Sequence, residues 1–235
     1  MGWGRKTMDI LAMLHARLDF ICRFYSQATT PFETIKNLIV SEEEPYLRDP
    51  ETGAHGYQAE WMEADDCLRV LGHCSLELLE KALHDYLREF IRRELGMLGV
   101  YGDATSQILD RRLKAYRKKD GWFGMYGRFL EARTTFRWSG SPIAPNQLEQ
   151  INLCRNDIAH DPRIDNTCPL QSDDHFGRYP ISAFADDLWL ESMVRVGKDG
   201  KPGYPVAIHV TRKNLTAHIE YVRQFCVFVE AHRTK

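Results

Sequence analysis

Arg155 and His160, with Asn156 directly after the arginine, are the residues of this chain best suited to chemistry on a phosphate ester. A guanidinium is planar, permanently charged and rich in donors, so it matches phosphoryl oxygens. An imidazole titrates near neutrality, and a helix C-terminus favours its protonated form, so a histidine closing a helix can give or take a proton. Asn156 and His160 are four apart and project from one helical face, about a turn from each other. Arg155 falls instead near the stripe of Leu148, Ile151 and Ile158. That is an awkward place for a charge unless the stripe meets a partner or the guanidinium reaches an anion. Two other arginines precede histidines at comparable distances, Arg48 before His55 and Arg212 before His218. The first pair falls in an acidic loop rich in Pro and Gly, and in the second Lys213 stands where the asparagine would be. A plainer reading of Arg155 and His160 is a pair of surface residues engaged with Asp157 or Asp161 and with the last helix carbonyls.

A second constellation is basic and aromatic. Between Arg111 and Trp138, nine Lys or Arg residues face only Asp120 and Glu131, and seven aromatics are interleaved. Lys114, Arg117, Lys118, Lys119, Arg128 and Arg133 are candidates for phosphate contacts, with Trp122 or Phe123 stacking on bases. The opposing reading is a solvated charged face over an aromatic core. Gly124-Met125-Tyr126-Gly127 has the form of an RNA-clamping GXXG loop, but the surrounding fold signals are absent. No metal centre is expected, because the six cysteines include no C-x-x-C pair, and Cys67 and Cys74 beside His73 sit at core spacing.

The elements that must position these residues are mainly helical. A first helix is expected over about 6–27, with Leu11, Leu14, Leu18, Ile21 and Tyr25 as one stripe, ending at Thr29-Thr30-Pro31. Residues 41–60 read as a loop, since they hold Pro45, Pro50, Gly53 and Gly56. From Glu42 to Asp66 there are nine carboxylates against Arg48 alone. A long central helix follows over about 61–95, whose two adjacent apolar stripes imply burial on more than one side. The basic stretch divides into two short helices near Lys119-Asp120-Gly121. A helix over about 145–160 opens with Pro145 and an Asn146-x-x-Glu149 pairing like a capping box, and Pro162 closes it near His160. Residues 161–185 form an irregular connection, and 188–196 with 204–210 form a β-hairpin across a Gly/Lys/Asp/Pro turn. The last helix covers about 213–232.

With 235 residues, 43% apolar content and a net charge of -2, the chain can bury one sizeable core and carries no global bias toward nucleic acid. The expected organisation is a single helical domain over 1–235, with an N-terminal helical extension at 1–40 and an insertion at 161–210. No apolar run has the length of a membrane span or a signal peptide, which points to the cytoplasm and away from membranes. Met1-Gly2 lacks the Ser or Thr at position six that myristoylation wants, since Lys6 stands there.

The segment Arg155-Asn156-Asp157-Ile158-Ala159-His160 resembles the R-N-x-x-x-H motif of the HEPN ribonuclease and toxin superfamily. The resemblance covers about 61–160 together with 213–232. It implies an antiparallel helical bundle and a homodimer that brings two motifs to one cleft. It also implies metal-independent, cofactor-free cleavage of RNA by attack of a ribose 2′-hydroxyl. In that scheme His160 is the general acid or base, Arg155 stabilises the phosphoryl oxygens and Asn156 positions the phosphate or the histidine. A toxin or antiviral defence effector, with an antitoxin or regulatory partner, is the corresponding role. Some toxin members carry a Tyr two positions after the His; this chain has Asp161-Pro162, so that mode of control is not expected. The alternative within the superfamily is a non-catalytic RNA-binding or protein-assembly module. Outside it lies an unrelated helical interaction protein.

Overall fold

The computed structural model describes residues 9–48, 56–96, 111, 123–160, 183–184 and 208–233. Helices dominate those residues: α1 (Ile10–Ser41), α2 (Gln58–Glu94), α3 (123–133), α4 (Pro145–His160) and α5 (Arg212–Ala231), with a 3-10 turn at Trp138–Gly140. No strand occurs among the described residues, where Ile208 is a lone bridge residue. The expected hairpin lies outside the described residues apart from 208–210, and the irregular connection at 161–185 apart from 183–184.

Local chemistry sets the helix ends. Asp9 caps α1, its Oδ1 accepting from the backbone N–H groups of Leu11 at 3.1 Å and Ala12 at 3.0 Å. At the other end the Glu43 N–H reaches the Leu38 carbonyl at 3.0 Å and the Glu42 N–H reaches Ile39 at 3.3 Å, with Glu42 at φ 56. That is a Schellman closure with glutamate in the place glycine usually takes. Gly96, at φ 68, fills the same place after α2. For α4 the expected capping pair is corrected: Ala144 precedes Pro145 as the N-cap, and the Gln147 side chain accepts from its N–H at 3.1 Å. Gln147 thus makes the back-bond of a capping box, while Ala144 has no side-chain oxygen for the forward one. Thr211 caps α5 through the Asn214 N–H at 3.3 Å.

The expected end of α1 at Pro31 is also corrected, because the helix continues ten residues further, to Ser41. Pro31 cannot donate to the Gln27 carbonyl. Thr30 and Thr34 hydroxyls instead donate back to the Ser26 and Thr30 carbonyls at 2.7 and 2.8 Å. Phe32, Ile35 and Ile39 carry the helical repeat across the proline, and their half-burial holds the helix together there.

The chain divides into two compact units, one made of 1–20, 79–152 and 217–235, the other of 21–78 and 153–216. In the first unit both stripes of α2 are buried, with Leu79, Leu83, Leu87, Phe90 and Ile91 at 1% exposure or less. They share the core with Leu14 and Leu18 of α1, Tyr126 and Leu130 of α3, and Val222, Phe225 and Val229 of α5. Each such side chain contributes about 1.5–3 kcal/mol of burial, whereas an exposed ion pair such as Arg223 with Asp19 contributes under about 1 kcal/mol. The apolar stripes therefore decide this packing. The Tyr86 hydroxyl lies 3.1 Å from the Cys226 carbonyl and 3.2 Å from Glu230, and burial raises its pKa so far that it stays a neutral donor.

In the second unit Ile21, Tyr25, Leu68, Leu76, Cys154, Ile208, Val210 and Leu215 are buried. The Tyr25 hydroxyl donates to the Val210 carbonyl at 2.6 Å. Burial, reinforced by Glu33, pushes its pKa to about 12. Gly72 lets the segment at Val210 approach α2: a Cβ there would stand 2.8 Å from the Val210 Cβ and 3.1 Å from its carbonyl oxygen.

Candidate functional site

Helix α4 carries the candidate motif on its last two turns. Its inward face is Leu148, Ile151 and Cys154, all at 1% exposure or less, with Gln150 also buried. Arg155 and Asn156 follow directly, both half-buried, as is Ile158. The stripe anticipated through Leu148, Ile151 and Ile158 is thus deepest at its first two members and turns through Cys154. This leaves Arg155 at its margin. A charged group at a margin keeps its head accessible while its stem packs.

The guanidinium of Arg155 donates from Nη1 to Oδ1 of Asn156 at 3.2 Å. Adjacent residues on a helix do not share a face, so this contact requires the long arginine side chain to bend toward its neighbour. An arginine only donates, and its bond therefore fixes which end of the Asn156 amide is the oxygen. The amide nitrogen is left with its two donors, beside the remaining N–H groups of Arg155. The local chemistry is that of a donor cluster, which suits an oxyanion. His160 is the last residue of α4, one turn beyond Asn156 in register.

The other sequence-proposed residues divide in two. Arg128 and Arg133 are exposed on α3, in the unit that does not hold Arg155. Lys114, Arg117, Lys118, Lys119 and Trp122 lie outside the described residues. Phe123 is corrected as a base-stacking candidate, because it is 1% exposed and packs on Trp138 and Phe225 with centroids 5.5 Å away in each case. Trp138 stacks on Phe225 at 5.4 Å and 12°, and Phe136 meets Trp138 edge-on. Gly127 lies inside α3 and serves this cluster, since a Cβ there would fall 2.2 Å from Trp138 Nε1. Phe123, Phe136 and Phe225 are core, with half-buried Trp138 packed on them.

A polar group that the sequence reading passed over lies on α2. Asp65, 8% exposed, accepts from Lys36 and, at 2.9 Å, from Arg69 Nε. Burial pushes its pKa up, but the hydrogen bonds from Lys36 and then Arg69 outweigh it and hold the carboxyl below its usual range. The i,i+4 spacing of Asp65 and Arg69 was a readable signal; the Lys36 contact, from another helix, was not. One turn further, burial lowers the pKa of His73, against a hydrogen bond to the Ile208 backbone that raises it, and nearby Arg69 and His209 add to the lowering. Its Nε2 is buried with no hydrogen-bond partner, which fits a neutral ring. Among the described residues no group of three His, Cys, Asp or Glu is placed to hold a metal ion, and no helix is long and apolar enough to cross a membrane.

No protein-family model matches the chain, and neither a curated protein nor a solved structure is detectably similar to it.

Proposed function

We propose that this chain is a metal-independent endoribonuclease of HEPN type whose active site is completed by a second copy. The observation that carries the reading is the Arg155–Asn156 hydrogen bond, which groups the donors of both side chains a helical turn before His160. RNA is the substrate class because its 2′-hydroxyl supplies an internal nucleophile, so that a donor cluster and a proton carrier suffice.

In the proposed reaction the 2′-oxygen forms a bond to the adjacent phosphorus and the bond from phosphorus to the 5′-oxygen breaks. One His160 takes the 2′-hydroxyl proton, and His160 of the partner subunit gives a proton to the leaving 5′-oxygen. Arg155 and the Asn156 amide stabilise the charge on the non-bridging oxygens. The products are a 2′,3′-cyclic phosphate and a 5′-hydroxyl. A toxin or defence role follows as the biological setting for such an activity.

The test is cleavage of end-labelled single-stranded RNA by the purified protein in EDTA. Cleavage to a cyclic-phosphate end is expected, falling by about 10²–10⁴ in Arg155→Ala and in His160→Ala. Mixing the two inactive variants should not restore activity, because a mixed dimer holds a single His160 where the proposed reaction uses one from each copy. RNA binding with no cleavage would place the chain among non-catalytic modules instead. Cleavage that survives both substitutions would overturn the site.

A further inference from the structure

The second unit leaves an apolar face of α2 uncovered. Met62, Val70, Cys74 and Leu78 are exposed, and with Asp66 they stand four apart along one ridge of the helix. Met62 is 54% exposed, Val70 42% and Leu78 38%, values far above those of the stripes that build the cores. The ridge from Met62 to Leu78 spans about 24 Å. Beside its first half, Phe32 of α1 and Ala59, Met62, Cys67, Val70 and Leu71 of α2 line a groove of about 640 Å³. The α1 wall is only partly covered: from Thr30 to Ser41 no residue is fully buried, Phe32, Ile35, Leu38 and Ile39 are half-buried, and Val40 is exposed.

Charge identifies what the groove takes. Glu63 and Asp66 line it, and Glu60 is exposed one turn before. From Gln58 to Leu68 there is no Lys or Arg to offset them. Asp65 is already committed to Lys36 and Arg69, whereas Glu60, Glu63 and Asp66 make no ion pair among the described residues. A second copy seated on this face through a two-fold axis would present the same acidic patch and bring no Lys or Arg between Gln58 and Leu68 to meet Glu63 and Asp66. An i,i+4 apolar ridge is the surface onto which another helix packs. Methionine and cysteine side chains adapt to the incoming shape.

We propose that this groove is a docking site for a basic amphipathic helix of a partner protein. The partner's apolar residues lie over Met62, Val70 and Leu71 while its lysines or arginines meet Glu63 and Asp66. This site is separate from Arg155 and His160, and its test does not depend on any nuclease activity.

The probe is a labelled three-turn helical peptide with leucines at helical spacing and lysines on the flanks, compared with a peptide in which glutamates replace the lysines. Anisotropy titrations should show the lysine peptide binding at least about tenfold more tightly, with the preference shrinking as salt rises. Val70→Lys should abolish its binding. Glu63→Lys with Asp66→Lys should reverse the preference between the two peptides. Circular dichroism of each variant checks the helix content, which surface changes leave intact. Equal binding of both peptides, or lysine-peptide binding untouched by Val70→Lys, would overturn the proposal. So would sedimentation showing that Met62→Lys or Val70→Lys turns a dimer into a monomer, since the occupant would then be a second copy.

Discussion

At the scale of single residues, the hydrogen bond between Arg155 and Asn156 gives the two side chains distinct and separable duties. The arginine occupies the amide oxygen, so what Asn156 has left for a ligand is a pair of donors. Asn156→Ala removes those donors and should slow RNA cleavage by about tenfold. Asn156→Asp keeps an acceptor for Arg155 but presents a negative charge to the phosphate, and should slow it by about a hundredfold or more. Single-turnover rates measured on both variants check this, and an aspartate variant as active as the alanine variant would remove Asn156 from the phosphate site. Gly127 makes the contrasting case of a residue whose duty is steric. Replacing glycine by alanine inside a helix normally gains about 0.5–1 kcal/mol. Here the new Cβ would meet the Trp138 ring at 2.2–3.0 Å, and that ring is stacked on Phe225. Gly127→Ala should therefore lose about 1–3 kcal/mol, read as a lowered urea midpoint with unchanged slope.

At the scale of elements, α1 tests how far one residue can oppose a whole helix. Pro31 is exposed, withholds a donor from the Gln27 carbonyl and is nevertheless spanned by continuous helix. Pro31→Ala should restore that bond and stabilise the protein by about 1–3 kcal/mol, seen as a raised urea midpoint; a lowered midpoint would mean that the proline's fixed geometry is what α1 requires. The same helix shows what the sequence could and could not disclose. Its apolar repeat was legible through Tyr25, but Pro31 read as a stop, because the local rule is strong and the half-buried Phe32, Ile35 and Ile39 that override it belong to tertiary packing. Pro145 and the proline at 162 bracket α4, and its limits were legible to the residue, while its cap was misassigned because Gln147 and Asn146 both have the chemistry to make one. The aromatics after Trp122 have a helical period but no inherent direction, so sequence could not tell core from RNA face; the burial of Phe123, Tyr126 and Phe136 gives the direction. At the candidate site the residue types and their places on α4 were readable, whereas the bond between neighbours was not, since helical spacing pairs residues three or four apart.

At the scale of the whole molecule, His73 and the aspartates Asp65 and Asp85 should respond to acid over separate pH ranges. His73, in the unit made of 21–78 and 153–216, has its pKa lowered by burial below the usual imidazole value of about 6.5. Between those two values the unfolded chain holds a proton that the folded chain does not, so stability is full above about pH 6.5 and declines as pH falls through that value. Asp65 in the same unit and Asp85 in the other have lowered pKa values, in both cases because ion-paired hydrogen bonds outweigh burial. Their contributions persist until pH drops below the ordinary carboxylate range of about 4 and are lost through their folded values. From pH 7.5 to 5.5, therefore, His73 acts where the carboxylates do not, with burial first and then nearby Arg69 and His209 opposing its protonation. Hydrogen exchange, corrected for intrinsic rates, should show amides of 64–76 and 208–215 losing protection over that interval. His73→Asn can keep a donor for the Ile208 backbone but does not titrate. It should flatten the pH dependence of 64–76, and an unchanged slope in that variant would trace the acid response to another group.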